Sequence, residues 1–191
     1  DVTFGLYATE DLTAADGTII PADGLLEIIT LDANGKGKAM TDLPFGSYYV
    51  KELSTNAGYI ISDEKYPVSF EYAGQDTATV SITVNNGESI ENNIVYGSVS
   101  GKKFDENGDA LGGAVMGIFQ TGTTEFTEEN AIATTTSADD GSFSFENVPY
   151  GTWIIREIES PTGFVLSKEE IAVTIGEIDE VVEIELINYF I

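Results

Sequence analysis

Alternation of apolar and polar residues is the strongest signal along this chain. Val182-Glu183-Ile184-Glu185-Leu186 puts apolar side chains on one face and acids on the other, the period of a half-buried strand. Tyr66 to Tyr72, a turn at Ala73-Gly74-Gln75-Asp76 and then Thr77 to Val84 spell strand, turn, strand. Ile171 to Ile175, Gly176-Glu177-Ile178-Asp179 and Glu180 to Asn188 spell the same thing again. Turn signals recur at Asp16-Gly17, Asn34-Gly35, Asn86-Gly87, Asn107-Gly108 and Asp140-Gly141. Helical turns are expected only in the loops Thr9 to Ala15 and Thr124 to Ala131.

The pattern occurs twice. Val2-Thr3-Phe4-Gly5-Leu6-Tyr7 parallels Val115-Met116-Gly117-Ile118-Phe119, with the glycines 112 positions apart. The block Leu43-Pro44-Phe45-Gly46-Ser47-Tyr48-Tyr49-Val50-Lys51-Glu52 parallels Val148-Pro149-Tyr150-Gly151-Thr152-Trp153-Ile154-Ile155-Arg156-Glu157 at an offset of 105, and Gly58-Tyr59 parallels Gly163-Phe164 at that same offset. So many kept spacings identify a tandem duplication. The economical architecture is all-β, two Ig-like β-sandwiches in series, over residues 1–96 and 97–191.

Composition narrows the chemistry. The 191 residues carry 33 acids against 8 basic residues, a net charge of −25, with no histidine and no cysteine. Such a charge repels phosphate backbones and anionic headgroups, so nucleic acid is excluded as a partner. No run approaches the ~20 apolar residues that cross a bilayer, so membrane insertion is not expected. Asp1-Val2-Thr3-Phe4 has neither the basic nor the apolar region of a signal peptide. Histidine triads, thiol nucleophiles, zinc fingers and disulfides are all impossible. What remains is carboxylates, amides, lysines and hydroxyls, with no cofactor or metal expected.

The alternation also shows polar residues pointing inward. Glu157 shares a face with Trp153 and Ile155, and its counterpart Glu52 shares one with Tyr48 and Val50. Asn188 continues the face of Ile184 and Leu186, and Lys103 has the parity of Val99 and Gly101. Taken singly, each has an ordinary explanation: a half-exposed strand end, or a lysine that snorkels to solvent. A lysine, a glutamate and an asparagine aimed at one core from its first, middle and last strands need a chemical one, because a buried charge is costly unless paired or neutralised.

The second copy resembles a Cna B-type domain (SpaA-like, prealbumin-like) of Gram-positive surface proteins and pilins. The likeness is carried by Lys103-Phe104-Asp105-Glu106-Asn107-Gly108, Leu111-Gly112-Gly113-Ala114, Val148 to Glu157 and Ser160-Pro161-Thr162-Gly163-Phe164. Met116 departs from the family's aromatic in the Gly-Ala-x-Phe stretch, and Asn56-Ala57 replaces the proline before Gly58 in the first copy. The resemblance implies a prealbumin-like fold and an intramolecular isopeptide bond, with Lys103 as nucleophile, Asn188 as electrophile and Glu157 as proton carrier. Physical chemistry fits those roles: burial disfavours an ammonium, leaving a nucleophilic amine, and favours a neutral carboxyl able to pass protons to departing ammonia. The resemblance also implies a structural stalk or pilin-like repeat on a bacterial cell wall or surface. Its partners would be neighbouring repeats of a longer protein. The alternative is an adhesin module binding a host protein or glycan, marked by a deep pocket or a contiguous aromatic patch. An enzyme acting on an external substrate ranks third.

The first copy has no equivalent of Gly97 through Gly112 before Asp1, and so lacks both the first strand and its lysine. Asn92 is the expected acceptor, Asn86 the second choice because it ends the face of Val80, Ile82 and Val84, and Glu52 the carboxyl partner. Lys36, Lys38, Lys51 and Lys65 fall in loops, at the start of a strand or on an outward face, so no internal bond is expected here. The open sheet edge should invite a neighbouring strand. Asp105-x-Asn107-x-Asp109 opens like an EF-hand loop but has Ala110 where glycine is needed and Met116 where the bidentate glutamate belongs. Glu169-Glu170 and Asp139-Asp140 are adjacent rather than set across a cleft, so they read as solvated surface.

Overall fold

The computed structural model describes residues 2–76 and 80–191 and is built almost wholly of strands. It divides into two compact units, Asp1–Asn93 and Ile94–Ile191. Unit 1 contains β1 (Thr3–Ala8), β2 (Leu12–Thr13), β3 (Ile19–Ile20), β4 (Leu25–Thr30), β5 (Gly46–Ser54) and β6 (Lys65–Phe70). Unit 2 contains β7 (Tyr96–Asp105), β8 (Val115–Gln120), β9 (Ala133–Thr136), β10 (Ser142–Pro149), β11 (Gly151–Glu159), β12 (Ile171–Ile175) and β13 (Val181–Asn188).

Unit 2 is a complete sandwich. One sheet has the order β10-β7-β13 and the other β12-β11-β8-β9. The central strand of the first sheet, β7, pairs antiparallel with β10 and parallel with β13. Its burial alternates along the strand: Gly97, Val99, Gly101, Lys103 and Asp105 face inward. Phe143 and Phe145 of β10 lie abreast of Gly101 and Val99 and fill the core with Met116, Ile118, Ile155, Val173, Ile175 and Leu186. Glycine at position 101 is a packing requirement, since a Cβ there would lie 2.0 Å from the Phe143 ring.

Unit 1 repeats only one of these layers. Its sheet, in the order β4-β1-β5-β6, matches β9-β8-β11-β12 strand for strand. Fine details recur at the 105-residue offset: the Tyr48 hydroxyl donates to the Pro44 carbonyl as the Trp153 indole N–H donates to that of Pro149. Among the described residues the second layer has no strands. The turn before β10, where Ala138 N–H donates to the Ser142 carbonyl (2.8 Å), recurs as Asp32 N–H to the Lys36 carbonyl (2.8 Å). Residues 36–43 then run on without becoming a strand, and Gly37 and Ala39 stand where Phe143 and Phe145 stand in unit 2.

Two sequence expectations change here, and a third holds. Thr77 to Val84 does not form a strand over its described part: 77–79 lie outside the described residues, 80–83 are irregular and Val84–Gly87 is a 3₁₀ turn. A strand needs a partner to satisfy its backbone groups, and among the described residues no counterpart of β7 lies beside this one. The loop Thr9 to Ala15 contains a strand rather than a helical turn, because Leu12 and Thr13 pair with Ile20 and Ile19. The loop Thr124 to Ala131 does hold a helical turn, closed by Ala131 N–H on the Thr127 carbonyl at 3.1 Å.

Replacing Gly101 with alanine should force Phe143 from its seat and lower unit 2 stability by about 1–3 kcal/mol. Urea unfolding followed at Trp153 measures this, and an unchanged midpoint would contradict the packing argument.

Candidate functional site

Three polar side chains meet in the unit 2 core. Lys103 and Asn188 come from β7 and β13, whose parallel register sets Lys103 beside Leu186 and Asp105 beside Asn188. The lysine and the asparagine are thus diagonal neighbours on one inward face. Glu157 faces them from β11 in the opposite sheet. Relative exposures are 0% for Lys103, 1% for Glu157 and 0% for Asn188, so all three are out of water.

Asn188 Nδ2 donates to Glu157 Oε1 at 2.9 Å and Oε2 at 3.0 Å, and to the Val165 carbonyl at 3.1 Å. The Ser167 backbone N–H donates to Glu157 Oε2 at 2.7 Å. Lys103 Nζ stands 3.7 Å from Glu157 Oε1, too far for a hydrogen bond. Lys103 Nζ and Asn188 Oδ1 are the buried side-chain polar atoms without a hydrogen-bond partner among the described residues. Burial pushes the Lys103 amine below its ordinary pKa, and attraction to Glu157 only partly offsets this. The site therefore holds a lysine driven toward its neutral, nucleophilic form, an amide with a free carbonyl oxygen, and a carboxyl touching both side chains.

Unit 1 builds the same carboxyl–amide pair. Glu52 on β5 is 1% exposed and accepts the Ser62 N–H at 2.8 Å. Asn92 Nδ2 donates to Glu52 Oε1 at 2.7 Å and to the Thr55 hydroxyl. Asn86 is not part of this cluster: it lies exposed in the 3₁₀ turn with a left-handed φ of 53°. Among the described residues, no lysine occupies the place equivalent to Lys103. Lys51 faces the other side of its sheet and pairs with Asp63 at 2.7 Å, while Lys65 pairs with Asp23 at 3.2 Å. Lys36 lines the hollow beside Glu52 and Asn92 but is itself exposed.

Sequence reasoning missed the Ser62 and Ser167 amides, which hold the two glutamates, although both serines obey the 105-residue offset. Thr55 and the Val165 carbonyl have no signal in alternation. Of the other acids named above, Asp105, Asp140 and Glu170 have local work. Asp105 Oδ1 accepts the N–H groups of Asn107 and Asp109, so the EF-hand-like spacing builds a turn. Asp140 is held down to about 2 by the Ser142 hydroxyl and amide and by Lys102. Glu170 pairs with Arg156 at 2.7 Å.

Residues 1–88 and 97–189 each match the family model of the SpaA prealbumin-like fold domain, so the chain belongs to that family. No curated protein sequence matches it. Among solved structures, the Bacillus anthracis TIE protein is similar over 100% of this chain at 20% identity and a TM-score of 0.67. This chain spans 31% of that one's length. A C-terminal fragment of the pilus adhesin SpaC from Lactobacillus rhamnosus GG is similar over 100% of this chain and 89% of its own, at 15% identity and a TM-score of 0.53. At these identities the likeness establishes the fold: all-β, with two prealbumin-like domains.

Glu52→Ala should leave the Ser62 N–H and the Asn92 amide without their acceptor and destabilise unit 1 locally by about 1–3 kcal/mol. Hydrogen exchange at Ser62 and along β5 reads this out as faster exchange. Glu52→Gln, which keeps one acceptor oxygen, should show a smaller rise.

Proposed function

We propose that this chain is part of the stalk of a Gram-positive cell-surface or pilus protein, and that unit 2 is locked by a self-formed isopeptide bond between Lys103 and Asn188. The observation that carries the reading is the buried triad: an amine and an amide carbonyl without hydrogen-bond partners, beside a shared glutamate. Such an arrangement is unfavourable as a resting state, because an uncompensated polar group in a core costs about 1–3 kcal/mol. Reaction removes the problem.

In the proposed step the lone pair of neutral Lys103 Nζ attacks Asn188 Cγ. Glu157 takes a proton from the attacking nitrogen and delivers one to Asn188 Nδ2. The Cγ–Nδ2 bond breaks, ammonia leaves, and a secondary amide joins the two side chains. One amine and one primary amide become one secondary amide and one ammonia, with no water, metal or cofactor consumed. By the chain-entropy argument used for disulfides, closing a loop of this size stabilises the fold by about 4–5 kcal/mol. The benefit suits a surface protein that must resist pulling and proteolysis without cysteine. Membership of the family and the likeness to a pilus adhesin fragment support the extracellular, cell-wall setting, with neighbouring repeats as partners.

An adhesin role is the second reading. It is favoured by the aromatic cluster of Phe45, Phe70 and Tyr72, with ring centroids 5.0 and 5.8 Å apart beside Ser69 and Glu71. The rings lie 46° and 79° from parallel, so they form no flat platform on which a sugar ring stacks. This keeps the stalk reading ahead.

Intact mass spectrometry of the purified chain should give the sequence mass less one ammonia, with a tryptic crosslinked peptide joining Lys103 to Asn188. Lys103→Ala, Asn188→Ala and Glu157→Ala should each restore the full mass; an unmodified parent chain would sink the proposal.

The pH dependence follows. In Asn188→Ala the lysine stays a free buried amine with a lowered pKa. Between that lowered value and the ordinary ~10.4 the unfolded chain binds more protons than the folded one, so stability should rise with pH across that window. In the crosslinked parent Lys103 is an amide and contributes no such rise. Urea midpoints against pH distinguish the two.

A further inference from the structure

The loop that follows β11 in unit 2 touches both members of the buried carboxyl–amide pair through its main chain. The Ser167 N–H donates to Glu157 Oε2 at 2.7 Å, and the Val165 carbonyl accepts from Asn188 Nδ2 at 3.1 Å. A carbonyl can only accept, so it holds Nδ2 on its own side and turns Oδ1 away. A carboxyl donates when protonated, so Glu157 alone would tolerate either end of the amide. The Val165 carbonyl therefore decides how the Asn188 amide is turned, and Oδ1 is left without a partner. A tight turn delivers that carbonyl. The Phe164 N–H donates to the Pro161 carbonyl at 3.1 Å, Gly163 takes a left-handed φ of 92°, and the Ser160 hydroxyl closes the turn on the Phe164 carbonyl at 3.0 Å. The Val165 N–H is held in turn by the Tyr189 carbonyl at 2.8 Å. Unit 1 has the same turn, with the Tyr59 N–H on the Asn56 carbonyl at 3.2 Å and Gly58 at a φ of 86°. Its hydrogen bonding differs: Thr55 stands where Ser160 stands, and its hydroxyl takes the Asn92 amide directly. A hydroxyl both donates and accepts, so it imposes no orientation. In unit 2 the hydroxyl is committed to the turn, and a group that can only accept meets the amide.

We infer that Ser160 is a positioning residue for the crosslink between Lys103 and Asn188, acting through the Val165 carbonyl, which holds the nitrogen that leaves. The inference rests on the reading of unit 2 given above. Once Lys103 Nζ has bonded to Asn188 Cγ, Nδ2 must gain a proton before the Cγ–Nδ2 bond breaks and ammonia departs. The leaving nitrogen then carries three hydrogens and a developing positive charge. Glu157 delivers the proton. The Val165 carbonyl is an acceptor already in place where that charge appears, and a dipole fixed in advance at such a point lowers the barrier without reorganising. Because the contact is made by the main chain, no change of the Val165 side chain, itself 51% exposed, removes it. Ser160 is the side chain through which the contact can be loosened, since its hydroxyl is bonded to the carbonyl of the preceding residue.

The experiment makes the full chain by cell-free synthesis, quenches samples in acid at intervals and follows the loss of one ammonia by intact mass. Ser160→Ala should slow that loss about tenfold or more, the order expected when a reacting group is misplaced. Ser160→Thr keeps a hydroxyl that the same turn accommodates as Thr55 in unit 1, and should react close to the parent rate. A second readout separates positioning from loss of fold. In a Lys103→Ala background no crosslink can form. There Ser160→Ala should keep a folded spectrum in nitrogen-edited NMR, while the Asn188 side-chain amide proton facing Val165 loses its downfield shift and its protection from exchange. A parent chain that crosslinks while Ser160→Ala reacts at the parent rate overturns this inference and leaves the crosslink proposal standing. A slowed Ser160→Ala also overturns it if Ser160→Thr does not restore the rate or if the Asn188 amide signals are unmoved, since the effect is then purely structural. A parent that keeps its full mass overturns both.

Discussion

Everything that distinguishes the two units depends on a single strand in the middle of a sheet. β7 satisfies β10 and β13 at once, and neither of those pairs with the other. Backbone groups left unpaired away from water are too costly to tolerate, so removing a central strand dissolves the layer around it. Unit 1 shows the consequence. Its glutamate-bearing sheet is intact, with Phe4, Leu6, Tyr48, Val50 and Tyr66 buried. The stretches that would flank the central strand are present in sequence but lack strand structure. Val2, Ile29, Leu31, Val84 and Ile90 pack against that core only partly buried.

The same strand sets up the chemistry. Because β7 and β13 run parallel, the first and last strands of unit 2 meet at their C-terminal ends, and that is where Lys103 and Asn188 lie. A lysine in such a place has few options. It cannot reach solvent, its pKa is driven down by burial, and its near neighbour Glu157 stands beyond hydrogen-bonding distance. A buried ion pair gains little over an apolar pair of the same volume. Under the proposed crosslinking the arrangement is a reactant state, in which the desolvation that disfavours the ammonium also prepares the nucleophile.

Much of this was legible from residue order alone. The offset of 105 found the two glutamates, and parity found the inward lysine and asparagine, because alternation along a strand is a local property. Asn92 was readable from its spacing, five residues before Gly97 at the start of the second copy. Thr77 to Val84 misled for the opposite reason. Its alternation is real, but strand formation there is decided by a partner far away in sequence. Leu12-Thr13 and Ile19-Ile20 are too short to show a period, so their pairing was invisible. Contacts through main-chain atoms, such as Ser62 and Ser167 on the glutamates, leave no trace in side-chain pattern beyond the repeated serine.

The parallel pairing also determines how unit 2 would bear load once crosslinked. Tension entering at Tyr96 and leaving past Asn188 pulls two parallel neighbours in opposite directions along their length. Their hydrogen bonds are then loaded together in shear rather than opened one at a time. With Lys103 joined to Asn188, the covalent path runs along β7 to Lys103 and crosses directly to Asn188. Residues 104–187 carry no tension, so β8 to β12 stay folded because they are not pulled. The stabilisation of about 4–5 kcal/mol expected from loop closure is therefore the smaller part of the effect. The larger part is that extension through the rest of the unit requires breaking an amide, and the buried site keeps from that amide the water that would hydrolyse it.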